Sequence, residues 1–143
     1  MSNQEIARPL MELYQEVINN NDVGAMDRLY GPGYVNHAAP FGLPRDLDGL
    51  RVLFSEFVVA FPDQHIVAED VIVHGDKVVA RWTLTATHQG MFFGVPATGR
   101  KVVMTGIDIE RIADGKIVEH WGGEDMLGLL EQIGAVQTPS PQG

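Results

Sequence analysis

The order of hydrophobic periods along the chain predicts an α+β domain, with N-terminal helices packed on one face of a mostly antiparallel sheet. Three observations carry that expectation. Apolar residues recur with helical spacing up to Phe61, they alternate with period two from Val78, and Asp114-Gly115 marks a tight hairpin turn between two later alternating stretches.

Ile6, Leu10, Leu13, Tyr14, Val17 and Ile18 fall on one face of a first helix, which the run Asn19-Asn20-Asn21-Asp22 ends. Asp22 is expected to cap a second, short helix carrying Met26, Leu29 and Tyr30, stopped by Gly31-Pro32-Gly33. Asp48 is expected to cap a third, whose Leu50, Leu53, Phe54, Phe57, Val58 and Phe61 form one stripe before Pro62-Asp63. After the turn His74-Gly75-Asp76-Lys77, the residues Val78, Ala80, Trp82, Leu84, Ala86 and His88 alternate as one face of a half-buried strand. A further strand spans Lys101 to Ile112, and Ile117 to Trp121 returns antiparallel after the Asp-Gly turn. Leu127, Leu130 and Ile133 predict a last helical turn with Asp125 at its start and Gly134 as its C′ residue. Residues 1–134 are expected to form one domain, and 135–143, rich in Pro, Ser and Gly, a flexible tail.

Composition narrows the chemistry. With 143 residues, 45% hydrophobic and 20% charged, the chain suits a single core. It has no cysteine, which removes disulfides, thiolate catalysis and Cys-based zinc sites. Nineteen acidic against ten basic residues give a net charge of −9, so nucleic acid and anionic membranes are not expected as partners. The start Met1-Ser2-Asn3-Gln4-Glu5 lacks the basic-then-apolar order of a signal peptide, and no apolar run approaches the roughly 18–20 residues of a membrane span. A cytoplasmic protein is expected. The five histidines include no H-x-H, H-x-x-x-H or H-E-x-x-H spacing, so no metal site is expected. Neither a G-x-S-x-G elbow, a phosphate-binding loop nor a dinucleotide fingerprint occurs.

Two stretches carry a family pattern: Thr87-His88-Gln89-Gly90-Met91-Phe92-Phe93-Gly94-Val95-Pro96-Ala97-Thr98-Gly99-Arg100, and Asp114 to Asp125 running into Met126-Leu127-Gly128-Leu129-Leu130. From about Ile6 to Gly134 the sequence resembles the SnoaL-like polyketide cyclases of the nuclear-transport-factor-2-like superfamily. The resemblance implies a cone-shaped domain, in which a strongly curved sheet wraps the helices around an apolar cavity. It also implies aldol-type ring closure of a polyketide without metal or organic cofactor. Asn36 and His120 match the family's cavity asparagine and last-strand histidine. Gly122 stands where the family keeps its acid/base aspartate, and Gly106 and Asp108 stand where it keeps a glutamine and a histidine.

Strand alternation puts Gly106, Asp108 and Glu110 on one face with Val102 and Met104, and Val118, His120 and Gly122 on one face of the partner strand. Asp108 and His120 are therefore the expected catalytic pair, Asp108 as base and His120 orienting it or donating to an oxyanion. Asn36, His88, Trp82, Phe57, Met104 and Gly122 are the expected substrate contacts, around a hydrophobic cyclic or polyketide-like molecule. Two other readings of the pair stay open. Asp108 and His120 could form an inert buried pair, or Asp108 could face solvent while Val103, Ile107 and Ile109 form the core. His88 could reach the cavity or bond the adjacent loop. The segment around Met91-Phe92-Phe93 could overhang the cavity mouth or be an ordinary hairpin.

Three functions compete at this point. The first is a cofactor-free acid/base enzyme that abstracts a proton next to a carbonyl. The second is a small-molecule-binding protein, for which Gly122 supplies room but no proton. The third is epoxide-hydrolase-like water activation using Asp108 and Asp125, although Arg111 alternates onto the face opposite Asp108. Apolar residues on both strand faces lead us to expect a homodimer or larger homo-oligomer.

Overall fold

The computed structural model describes residues 1–141; of the expected tail, 142 and 143 lie outside the described residues. The first helix, α1 (Asn3–Glu12), opens with a side-chain cap in which the Ser2 hydroxyl accepts the Glu5 N–H. It runs on through Leu13–Asn19 as a π-helical segment. That widened turn buries Leu13, Tyr14, Val17 and Ile18 together, so the predicted apolar face is fully inside.

The next stretch departs from expectation. Asp22 precedes a 3-10 turn, Val23–Ala25, without a side-chain cap, and α2 (Met26–Leu29) is one turn long. Tyr30 then belongs to a strand, β1 (Tyr30–Asn36), which includes the Gly31-Pro32-Gly33 read as a helix stop. The reason is local. β1 is an edge strand that pairs parallel to the last strand with a register break between Tyr30 and Val35, where proline's missing N–H costs no ladder bond. A Cβ on Gly31 would lie 2.8 Å from Val118 Cγ1, so glycine allows the close strand approach. In α3 (Leu47–Ala60) the cap is Asp46, whose carboxylate accepts the Gly49 N–H at 3.0 Å, rather than Asp48.

The remaining elements are β2 (His65–His74), β3 (Lys77–Thr87), β4 (Lys101–Ala113), β5 (Lys116–Glu124) and α4 (Met126–Gln132). Together with β1 they form a curved sheet in the order β1-β5-β4-β3-β2, antiparallel except for β1 against β5. Val78, Ala80, Trp82, Leu84, Ala86 and His88 are all buried, as the alternation predicts. The core lies between this face and the helices. The opposite face leaves Val67, Ile72, Val103 and Ile107 exposed, which excludes the reading in which Val103, Ile107 and Ile109 form the core.

Beyond the end of β5, α4 covers the unpaired part of β4. The Asp125 N–H donates to the Thr105 carbonyl, and the Gln132 amide both accepts from and donates to the Val103 backbone. Asp125 caps α4 through the Gly128 N–H, and Gly134, at φ 77°, ends it as the C′ residue. Among the described residues, no helix is long and apolar enough to cross a membrane.

Candidate active site

A β-bulge makes the site. From the turn, Ala113 pairs with Lys116 and Ile112 with Ile117, but Arg111 pairs with Glu119, leaving Val118 as the extra residue. Without that extra residue, an unbroken ladder would set His120 opposite Ile109 on the outer face, because a one-residue slip exchanges the two faces. With it, Glu110 stands opposite His120 and Asp108 opposite Gly122, and all point to the core side below the buried Ile117.

The result is a polar cluster at one end of an apolar cavity that encloses about 730 Å³ including its open mouth. Leu50, Leu53, Phe54 and Phe57 of α3 form one wall, Leu13, Tyr14 and Ile18 a second, and Trp82, Leu84 and Met104 of the sheet the floor. His120 Nδ1 lies 2.5 Å from Glu110 Oε1. The Tyr14 hydroxyl donates to Asp108 Oδ2 at 2.6 Å. The Trp82 indole N–H faces the same carboxylate and favours its ionised form, from outside full hydrogen-bond geometry. Gly106, paired with Trp82, provides the space for that indole: a Cβ there would sit 2.3 Å from Trp82 Cζ2.

Burial sets the acid/base character. It pushes the Asp108 carboxyl up, against the His120 charge and the Tyr14 hydrogen bond, which pull it down. Burial also raises Glu110, more than His120 lowers it. On His120 burial acts downward, but the hydrogen bond and charge of Glu110, helped by Asp108 and Glu124, lift the imidazole well above its usual range. The Glu110–His120 pair therefore keeps its proton at neutral pH. Tyr14 is driven far up by burial and by Asp108, so it acts only as a neutral donor. Glu124, also lining the cavity, is raised by burial and by Asp108.

The expected site residues divide. Asp108 and His120 meet in the cavity, with Asn36, Trp82, Phe57 and Met104 in its lining. Asn36 Oδ1 accepts the Ala38 N–H at 2.9 Å, which leaves its NH2 free for a ligand. Gly122 adjoins the cluster, since a Cβ there would lie 3.3 Å from His120 Cε1.

His88 is not brought to the cavity. It is completely buried beside Phe61, with Nδ1 3.0 Å from Thr98 Oγ1, so it ties the loop before β4 to the core. Phe92 packs on Phe57 and Phe61 and pairs with Val95 in a tight turn, so this segment does not overhang the mouth. Arg111 is held by Glu119 at 2.9 Å on the outer face and Asp125 by its helix, so neither joins Asp108 for water activation.

Sequence reading missed Glu110 and Tyr14 as site residues. Glu110 carried one signal, a charged residue on an otherwise apolar strand face. Tyr14 carried none, because it fits the core stripe of its helix.

This fold and cavity define a class, and the chain belongs to the SnoaL-like polyketide cyclase family, whose model matches residues 8–133. It is 31% identical over 150 residues to the aklanonic acid methyl ester cyclase of Streptomyces peucetius, covering 100% of this chain and 98% of that protein. To the nogalonic acid methyl ester cyclase of Streptomyces nogalater it is 27% identical over 124 residues, 81% of this chain and 88% of that one. Among solved structures, the candidate hydroxylase AclR of Streptomyces galilaeus superposes with a TM-score of 0.85 at 28% identity, covering 99% of this chain and 92% of that chain.

Proposed function

We propose that the protein is a cofactor-free cyclase that closes a ring in a hydrophobic, polyketide-like ester by an intramolecular aldol reaction. The observation that carries this reading is a part-buried carboxylate, Asp108, held beside the His120 imidazole at the end of an apolar cavity. Asp108 Oδ1, the oxygen not bonded to Tyr14, takes a proton from the carbon next to a carbonyl. Burial raises its proton affinity and so its strength as a base. The enolate carbon then attacks a second carbonyl carbon within the same molecule, forming the C–C bond and an alkoxide. His120 donates its Nε2 proton to that alkoxide and recovers one from Asp108, so the net change is an isomerisation. The free Asn36 NH2 is placed to hold a carbonyl oxygen. The cyclase names of the relatives support the same assignment.

The test compares wild type with Asp108→Asn on an uncyclised aromatic polyketide methyl ester, followed by mass spectrometry and corrected for spontaneous closure. Acceleration by wild type alone is expected. Equal acceleration by both would remove Asp108 as the base. Ligand-induced thermal stabilisation without any turnover would favour a binding protein instead.

The same reading treats residues 1–134 as the folding unit, the cytoplasm as the compartment and a homodimer or larger homo-oligomer as the assembly. The exposed Ile72, Val103 and Ile107 on the outer sheet face support the last.

A further inference from the structure

We infer that Asp108, Glu110 and His120 form a binding site for one divalent transition-metal cation of the zinc type, which would compete with acid/base chemistry for the same groups. One ligand atom from each of the three lies within 4.8 Å of the others. A tetrahedral metal with bonds of about 2.0–2.2 Å spaces its donors roughly 3.3–3.6 Å apart, so the three side chains must rotate to draw together around it.

A second observation is independent of that spacing. Glu110 is only 3% exposed and its Oε2 has no hydrogen-bond partner, which leaves an acceptor-only oxygen unsatisfied in a buried site. The charge balance points the same way. Asp108, Glu110 and Glu124 all line the cavity with one imidazole, and no Lys or Arg is among the described lining residues. A dication would neutralise two of these carboxylates.

The donor set selects the metal. One imidazole and two carboxylates suit Zn²⁺ or Co²⁺ better than Ca²⁺ or Mg²⁺, which prefer oxygen alone. The three groups stand on two neighbouring strands and line the cavity, so water or a substrate oxygen would complete the coordination. The Tyr14 hydroxyl on Asp108 Oδ2 supplies the supporting hydrogen bond that oriented metal ligands use. Metal must displace the proton between His120 Nδ1 and Glu110. Once bound, it removes Asp108 as a base, so zinc inhibits cyclisation.

The spacing rules that excluded a metal from the sequence look along one chain segment. This cluster is assembled across a bulged hairpin.

Co²⁺ is titrated into chelator-treated wild type without substrate, following visible absorbance and, by calorimetry in two buffers, proton release. Expected are one saturable Co²⁺ per chain, displaced by Zn²⁺, with about one proton released. Glu110→Gln should weaken binding at least about tenfold. In case that variant does not fold, the imidazole nitrogens of wild type are followed by long-range ¹H–¹⁵N NMR as Zn²⁺ is added. His120 Nδ1 alone should shift. No saturable binding, binding unchanged in Glu110→Gln, or a shift at another histidine would overturn the site. Because the readout needs no turnover, failure of the cyclase assay leaves this result standing, and the reverse.

Discussion

Asp108 and Gly122 are direct partners across the β4–β5 ladder, and a Cβ on Gly122 would lie 2.3 Å from the Ile107 carbonyl oxygen. The position where the resemblance places the family's aspartate is thus closed to any side chain by backbone. The Asp108 carboxylate faces this position from the neighbouring strand.

Gly122→Ala should therefore lower stability by roughly 1–3 kcal/mol, the usual cost of forcing atoms into a packed site. Gly122→Asp combined with Asp108→Asn should not regain cyclisation. Urea unfolding and the ester assay check the two parts, and a cyclising double variant would show that the strand pair yields easily.

Tyr14→Phe removes one hydrogen bond to a charged oxygen and little else, since the ring remains in the core. Such bonds contribute about 1.5–3 kcal/mol to stability, so Tm should fall by several degrees, and kcat/KM should fall roughly tenfold as Asp108 loses its orienting donor. An unchanged rate would mean that Asp108 is oriented by its other neighbours.

Ile107 is 47% exposed and lies across from Arg81 and Gly123 on the outer sheet face. Ile107→Glu should leave the fold intact and convert the proposed dimer to monomer, as read by light scattering. A monomeric wild type would remove the dimer outright.

Asp63 ties the start of β2 to the end of β3, accepting the Thr87 N–H and hydroxyl at 2.7 Å each. The Thr87 hydroxyl is the main reason that its carboxyl is held below the usual range. A carboxylate lowered on folding contributes stability above its unfolded pKa and loses it as pH falls through the folded value. Asp63→Ala should thus lower Tm at neutral pH, with the difference from wild type shrinking in acid. A gap that persists in acid would point to lost packing instead.

Much of this was legible in the sequence. The period-two pattern from Val78 to His88 survives in full because one face is core and the other is not. β1 was hidden because Gly31-Pro32-Gly33 reads as a break unless the strand lies at an edge, and edges are set by tertiary pairing. Asp108 and His120 were legible as inward-facing residues. Their true partners were not, because the extra residue at Val118 decides which side chains meet, and no local signal announces it. Tyr14 reaches Asp108 across 94 positions of sequence, through a π-helical turn that the apolar spacing does not distinguish from an α-helix.

The amide of Gln132, bonded to both backbone groups of Val103, occupies the rungs that a foreign strand would need at that end of β4. Pro32 blunts the border at β1, and the break between Ala68 and Asp70 distorts the one at β2. These features disfavour lateral growth of the sheet into a fibril-like ribbon. The proposed self-association would then rest on broad, back-to-back contact between outer sheet faces rather than on continuation of the sheet.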